Sequence, residues 1–420
     1  MIKTTNHTLK FSNKNKLDKL SSFIDEYRRV TKLILDDIWT NGYTWEIDGK
    51  IHTFNVEKDL LEHPNFIDYN KFKIETTLSA RALSSLVTQL AGIIGASVEK
   101  QRKRMYMFDL QCNENKYNEL LYRKICANKP QKPFVDNLNP ELSSKCVDWQ
   151  ESGYFNGFLR LKSIGEIGHI KLPIKFHKHS IKYVDWTKLN SYLIGKDFIN
   201  IRWEKDIPKL KEDGRIVGVD QGVKTCLTLS DGQITQTNKD GWNLDLILDE
   251  MTKKKKGSKS FKKCQDHRKN YINWSINKLN LINVKQINLE EIWNIGYKNK
   301  SSRKLRCWTN TLIRDKLESK CELLGVQVQH QSPTYKSQRC SGCGMVRKSS
   351  RKGKNYLCPN CGLEIDADFN ASQNHEQVLP DIPIKLRKLN LNRKGFFWKE
   401  TGFYDLNGVE LRVPLDPIIK

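Results

Sequence analysis

The sequence predicts a multidomain α+β protein. An N-terminal β-barrel interrupted by a helical insert is followed by an α/β domain that carries a small metal-binding insert. Three observations predict this. Apolar residues recur at helical spacing from about Leu17 to Trp39 and from about Thr77 to Met107. Short strand-like runs separated by Gly and Asp turns fill Gly153 to about Glu204. From Arg215 onward strands and helices alternate, and two Cys-x-x-Cys pairs follow at Cys340/Cys343 and Cys358/Cys361.

Lys and Arg number 72 against 48 Asp and Glu, a net charge of +24. A surplus that large makes a long-range field that draws in polyanions. Nucleic acid fits best, because each neutralised phosphate releases counterions. A basic membrane-surface protein would want an amphipathic anchor. No such anchor, no run of about 18 apolar residues and no apolar leader core stands out, so no membrane partner is expected. Hydrophobic residues make up 38% of 420, lean but enough at this length to bury a core. Of the 11 cysteines, Cys112, Cys126, Cys146, Cys226, Cys264, Cys307 and Cys321 are scattered without a framework spacing. That predicts reduced thiols and a cytoplasmic setting.

In chain order, "MIKTTNHTLKF" reads as a first strand, followed by the first long helix with Leu20, Phe23, Ile24, Tyr27, Val30, Leu33, Ile34 and Ile38 as its stripe. The second helix ends in the basic "VEKQRKRMY". A solvated last turn complementing the helix dipole and a contact to a nucleic-acid backbone both account for that end. In the barrel segment, His177 and His179 are expected on one strand face. With no third ligand nearby they read as a surface pair rather than a metal site. "KDIPKLKEDG" (205–214) reads as a linker.

The strand "RIVGVD" then delivers Asp220 from an apolar run, and Asp231-Gly232 marks a hairpin. A buried Asp needs a partner or a metal, although a bulge bonded to backbone would also hold it. A basic segment follows: Lys253, Lys254, Lys255, Lys256, Lys259, Lys262, Lys263, Arg268 and Lys269. Such runs are usually solvated, but one leading into a helix beside an acidic centre is a candidate phosphate contact. "INVKQINLEEI" ends a strand at Glu290-Glu291, a helix is expected over about Leu305 to Leu324, and "GVQVQHQSP" reads as another strand. "IDADFNAS" puts Asp366 and Asp368 at a helix start, where Asp is also an ordinary cap. Carboxylates converging from two strands and a helix start repel one another unless cations lie between them. Two bridged Mg²⁺ ions would hold a water and a leaving oxygen for in-line phosphodiester cleavage, which is RNase H-like chemistry.

Cys340, Cys343, Cys358 and Cys361 have the spacing of a tetrahedral structural Zn²⁺ site. Redox cysteine pairs would sit on a thioredoxin-like unit, which the pattern lacks. A closed four-thiolate site has no open position for chemistry.

The ordered motifs "GVDQGVK", "KKKKGSK", "INLEEI", "SPTYKSQRCSGCG", "CPNCG" and "DADFNAS" resemble those of TnpB transposon nucleases and the related compact type V CRISPR effectors. The similarity runs from about Arg215 to Ser372. The N-terminal half matches in layout only. The resemblance implies an RNA-guided DNA endonuclease with catalytic, Mg²⁺-binding Asp220, Glu290 and Asp368, a structural zinc, a guide RNA, and target DNA with a short flanking motif. It also implies a division of the chain: a wedge-like barrel at 1–15 and 150–205, a helical recognition insert at 16–149, and a linker at 206–214. A RuvC-like nuclease domain would occupy 215–333 and 365–385, a zinc ribbon 334–364, and a C-terminal extension without an assigned role 386–420. Gln221 and Lys336 depart from the family pattern and are expected to stand clear of the acids. A homodimer, and the choice between transposon and CRISPR context in a prokaryotic or phage setting, stay open. A catalytically silent RNA-guided repressor on the same fold, or an RNase H-like strand transferase, are the alternatives.

Overall fold

Asn13 starts the first long helix by accepting a hydrogen bond from the Lys16 amide, which satisfies one of the free N–H groups at a helix start. The computed structural model describes residues 1–113, 119–120, 122–123, 130–292 and 301–411. Cys126, one of the scattered thiols, lies outside the described residues. The chain divides into two units, Met1–Lys205 and Asp206–Lys420.

In the first unit, β1 (Ile2–Thr8) leads into α1 (Lys14–Asn41). Leu20, Phe23, Ile24, Tyr27, Val30, Ile34 and Ile38 of α1 are buried, whereas Leu33, expected in the same stripe, is exposed. A small sheet follows from β2 (Tyr43–Ile47), β3 (Lys50–Asn55) and β4 (Leu60–Leu61). The second helix, α2, spans Ala80–Asn113. Its Ala80–Asp109 stretch is long and apolar enough to cross a membrane by length and composition, which corrects the expectation that no such run stands out. Leu86, Leu90, Ile94 and Val98 of that helix are buried in one core with the α1 stripe, the behaviour of a core helix.

The remaining strands are β5 (Glu141–Ser143), β6 (Val147–Gln150), β7 (Gly157–Leu161), β8 (Ile170–Ile174), β9 (Thr187–Ile194) and β10 (Phe198–Glu204), with the short helix α3 (Lys178–Ile181) between β8 and β9. The expected barrel is not closed. The strands form a four-stranded sheet, β1-β10-β9-β5, and a separate three-stranded one, β6-β7-β8. Closure requires ladder bonds between free edges, and none joins these two sheets among the described residues. The sheets instead share an apolar core, with Tyr192, Ile194 and Ile201 in one and Leu159, Leu172 and Ile174 in the other. His177 is not on a strand. It caps α3, its Nδ1 accepting from the Ser180 amide at 3.3 Å, and its Nε2 lies 3.0 Å from the Asn6 carbonyl. His179 falls within α3.

In the second unit the expected linker is tied down. Lys211 Nζ donates to the carbonyls of Leu281, Ile282 and Val284. The central sheet comprises β11 (Arg215–Gln221), β12 (Leu227–Leu229), β13 (Val284–Glu290) and β14 (Gln327–Gln331), in the order β12-β11-β13-β14. β11 pairs antiparallel with β12 and parallel with β13, and β13 pairs parallel with β14. Gly232, at φ +89°, makes the predicted turn after β12. Helices α4 (Leu244–Thr252) and α5 (Lys259–Lys278) join the strands, and α6 (Arg303–Cys307) and α7 (Asn310–Leu324) follow β13. The single helix expected over 305–324 is thus broken near Trp308, where the buried Arg268 guanidinium takes the Cys307 carbonyl.

The cysteine segment contains β15 (Met345–Val346), β16 (Arg351–Lys352), β17 (Asn355–Leu357) and β18 (Glu364–Asp366), and β18 runs directly into α8 (Ala367–Glu376). After α9 (Ile384–Lys388), the hairpin β19 (Phe396–Lys399) and β20 (Gly402–Tyr404) returns to the cysteines. Met345 pairs with Phe397, Val346 pairs with Phe396, and the Trp398 amide donates to the Gly344 carbonyl at 2.9 Å. The predicted turn at Asp405–Gly408 forms, with the Asp405 amide bonded to the Val409 carbonyl.

Candidate active site

The sheet places the first two acids. Val217 and Val219 are buried beside their neighbours, and β11 carries Asp220 into the molecule at 8% exposure. β13 runs parallel alongside and ends at Glu290, also 8% exposed. The Gln221 amide donates to Glu290 Oε1 at 2.8 Å, and Gln221 Nε2 reaches the Glu290 carbonyl at 3.4 Å. Gln221, expected to stand clear of the acids, therefore touches one of them. Its Oε1 is buried with no hydrogen-bond partner among the described residues. Lys336 makes no bond to the three acids among the described residues. It is buried and donates to the Asn374 carbonyl at 2.7 Å.

The third acid arrives on α8, and two aspartates divide the work at its start. Asp366 is the cap, with Oδ1 accepting from the Asp368 and Phe369 amides at 2.9 and 3.0 Å. Asp368 is left free of capping, and its carboxylate is held by Arg351 at 2.8 Å and by Lys354. Both cations come from the β16–β17 hairpin, and Lys354 also donates to Thr225 Oγ1 at 3.0 Å.

Close contact seats α8 on the sheet. A side chain at Gly218 would run into the Ser372 carbonyl, the Glu376 amide and the His375 carbonyl carbon. Asn288 Nδ2, on the adjoining strand, donates to the His375 carbonyl at 2.8 Å. This brings a residue that sequence reasoning missed into the site. The ligand atoms of Asp220, Glu290 and His375 all lie within 4.8 Å of one another, and all three residues are buried. The available signal was the seven-residue step from Asp368 to His375, which puts both on one face of a helix. Arg351 and Lys354, the partners of Asp368, were also missed.

Burial is the main cause that holds the Asp220 and Glu290 carboxyls well above the usual carboxylate range. For Asp220 the charge of Asp368 adds to the rise, and Arg351 and Lys354 oppose it. For Glu290 the charge of Asp220 adds, and the Gln221 amide opposes. Burial pushes His375 down to about 3, with Lys336 adding to the effect, so the imidazole is neutral. Two desolvated carboxylates beside a neutral imidazole, with no Lys or Arg bonded to either carboxylate among the described residues, form a donor set that fits a divalent cation.

The four cysteines form the second cluster. Their sulfurs lie within 4.8 Å of one another, and the Cys340–Cys361 and Cys343–Cys358 separations are 3.6 Å. A tetrahedron with Zn–S bonds of about 2.3 Å has edges of about 3.8 Å. The cluster therefore fits a zinc site. Burial pushes the Cys340 and Cys358 thiols up, a penalty that a bound dication reverses.

Of the basic segment, Lys253, Lys255, Lys256, Lys259, Lys262, Lys263 and Lys269 are exposed and Lys254 is half-buried. Lys253 and Lys254 lie 2.7 and 3.7 Å from Glu250. Arg268, grouped with them by sequence, is turned into the core and does not share that surface.

The α/β sheet thus delivers two buried acids, α8 carries the third, and the four-cysteine cluster lies between the last strand of that sheet and α8. Residues 311–375 match a family model described as the Cas12f1-like TNB domain. A curated relative, the CRISPR-associated endodeoxyribonuclease Cas12f1 of Sulfoacidibacillus thermotolerans, is 38% identical over 89 residues, which is 21% of this chain and 21% of that protein. The match thus spans about a fifth of the curated relative, and it supports the resemblance to compact type V effectors and TnpB-like proteins that the motifs suggested. A Cas12f1–sgRNA–target DNA complex gives a TM-score of 0.45 at 15% identity, covering 90% of this chain and 99% of that one. The mini-RNA-guided endonuclease CRISPR-Cas_phi3 gives 0.32 at 10% identity, covering 52% and 57%.

Proposed function

We propose that this chain is an RNA-guided DNA endonuclease whose nuclease centre is formed by Asp220, Glu290 and Asp368. The observation that carries the reading is the pair of desolvated carboxylates on adjoining strands, neither bonded to a Lys or Arg among the described residues, beneath the helix that bears Asp368. On this reading the nuclease domain is RuvC-like and comprises 215–333 and 365–385. Residues 334–364 form its zinc ribbon, and the first unit holds the wedge and recognition segments. Mg²⁺, most simply two ions, would supply an activated water and charge neutralisation at the scissile phosphate. The protein's own task is positional. β11 and β13 hold Asp220 and Glu290 at fixed separation, and the Gln221 amide fixes one oxygen of Glu290. Asp366 holds the start of α8 so that Asp368 faces the same centre. Cys340, Cys343, Cys358 and Cys361 would bind a structural zinc that braces the approach to α8. Lys255, Lys256, Lys259, Lys262, Lys263 and Lys269 offer an exposed basic surface for phosphate.

The partners follow from the same reading: a guide RNA gripped through its backbone, and a DNA target read mainly by base pairing beside a short flanking motif. The cytoplasm of a prokaryote is the setting it implies. Sequencing the RNA that co-purifies with the full chain tests this. A defined repeat-derived or element-end transcript is expected, and recovery of only bulk cellular RNA counts against the guided reading.

A further inference from the structure

His375 lies outside the acid triad of the proposed function, yet it is the third member of the buried cluster with Asp220 and Glu290. Its position is built rather than incidental. Gly218 lets the end of α8 approach the sheet, and Asn288 holds the His375 carbonyl at 2.8 Å. Side chains on a helix lean toward its N-terminus, which directs the ring toward the end of α8 that carries Asp368. Gln331 Oε1 faces His375 Nδ1 at 3.4 Å. An amide oxygen only accepts, so a proton on Nδ1 would fill this contact and leave Nε2 a lone pair. A ring nitrogen oriented by an amide or carboxylate oxygen behind it is the usual arrangement of a metal-bound histidine. Gln221 Oε1, beside Glu290 and with no partner among the described residues, is a further buried acceptor next to the cluster.

We propose that His375 is a third protein ligand of the cation held between Asp220 and Glu290, and that its nitrogen donor makes this position prefer Mn²⁺ over Mg²⁺. Mg²⁺ is a hard ion that keeps oxygen ligands and dehydrates reluctantly. Imidazole suits first-row transition ions, and Mn²⁺ accepts both imidazole and carboxylate. The inference rests on the reading of Asp220 and Glu290 as cation ligands and goes beyond it by assigning a residue and an ion preference.

The test uses the full chain, titrated with Mn²⁺ alone and followed by electron paramagnetic resonance. Pulsed measurements read nitrogen coupling to the bound ion, with and without ¹⁵N-labelled histidine. A histidine coupling that changes with the label and disappears in both His375→Leu and Asp220→Asn is expected. His375→Leu should also weaken Mn²⁺ binding by at least about tenfold, the scale of losing a partner at a metal site, with a much smaller change for Mg²⁺ measured by competition. If Asp220→Asn reduces Mn²⁺ binding but no histidine coupling is seen, the inference fails and the acid centre stands. If Asp220→Asn leaves Mn²⁺ binding unchanged, the acid centre itself fails. Should His375→Leu not fold, the labelled wild-type spectrum decides the matter alone.

Discussion

Asp220 and Glu290 lie desolvated on neighbouring strands, whereas Asp368 is neutralised by Arg351 and Lys354. The difference sets a pH dependence. Asp220 and Glu290 hold protons to higher pH in the folded chain than in the unfolded one, chiefly because of burial. Their contribution to stability is therefore present below the ordinary carboxylate range and is lost as pH rises through the raised values. Metal-free protein should show a melting temperature that falls as the buffer goes from about pH 5 to about pH 8, and Mg²⁺ should restore it at the upper end. A melting temperature that is flat in pH, or that rises, would mean the two carboxyls are not desolvated as described. At this scale Asp220 was legible in sequence because an acid at the end of an apolar strand is conspicuous, whereas Glu290 was separated from Glu291 only by the resemblance. His375 was not legible, because a histidine near the end of a polar helix carries no local signal until the sheet is placed against it. From the residues alone the two aspartates of "DADFN" could not be told apart, since both suit a helix start, and only the resemblance singled out Asp368. The hydrogen bonds separate them, with Asp366 capping and Asp368 paired to cations.

Gly218 governs how α8 meets the sheet. Gly218→Ala puts a methyl group against the backbone of Ser372, His375 and Glu376, none of which is the flexible end of a side chain. We expect a loss of about 1–3 kcal/mol or more, the cost of overpacking a filled contact. Chemical denaturation measures it, and cleavage should fall with it because both Asp368 and His375 ride on α8. Wild-type stability in this variant would show that α8 shifts freely over β11. Strand and helix periodicity carried most of the elements, since α1 and the β11–β12 hairpin depend on local pattern. Two features did not follow from local pattern. Whether β1, β5 and β9–β10 close with β6–β8 into a barrel depends on pairing between residues far apart in sequence, and the sheets stay separate. At the break between α6 and α7, the Cys307 carbonyl accepts from Arg268, 39 residues upstream. An arginine counted in a basic surface run is a core residue here, and only the packed helix reveals it.

Over the whole chain, the net charge of +24 predicts nucleic-acid binding that weakens steeply with salt, with a linear loss of log affinity against log salt concentration. A filter-binding series across salt measures the slope, and a slope near zero would remove the electrostatic basis for a polyanion partner. The C-terminal segment, which the sequence left without a role, adds β19 and β20 to the cysteine segment through β15. Trp398 is central to it. Its carbonyl accepts from Arg339 Nε at 2.8 Å, its indole donates to the Pro380 carbonyl at 3.1 Å, and its ring is buried. Trp398→Ala should cost about 3–5 kcal/mol and lower the zinc content measured by elemental analysis. Full zinc occupancy and unchanged stability would detach the hairpin from the ribbon. The central claim concerns chemistry, and cleavage of a guide-matched DNA duplex in Mg²⁺ tests it most directly, comparing wild type with Asp220→Asn and measuring RNA binding in parallel. The wild-type chain should cut and Asp220→Asn should bind RNA equally well without cutting, whereas cutting that survives the substitution would contradict the account.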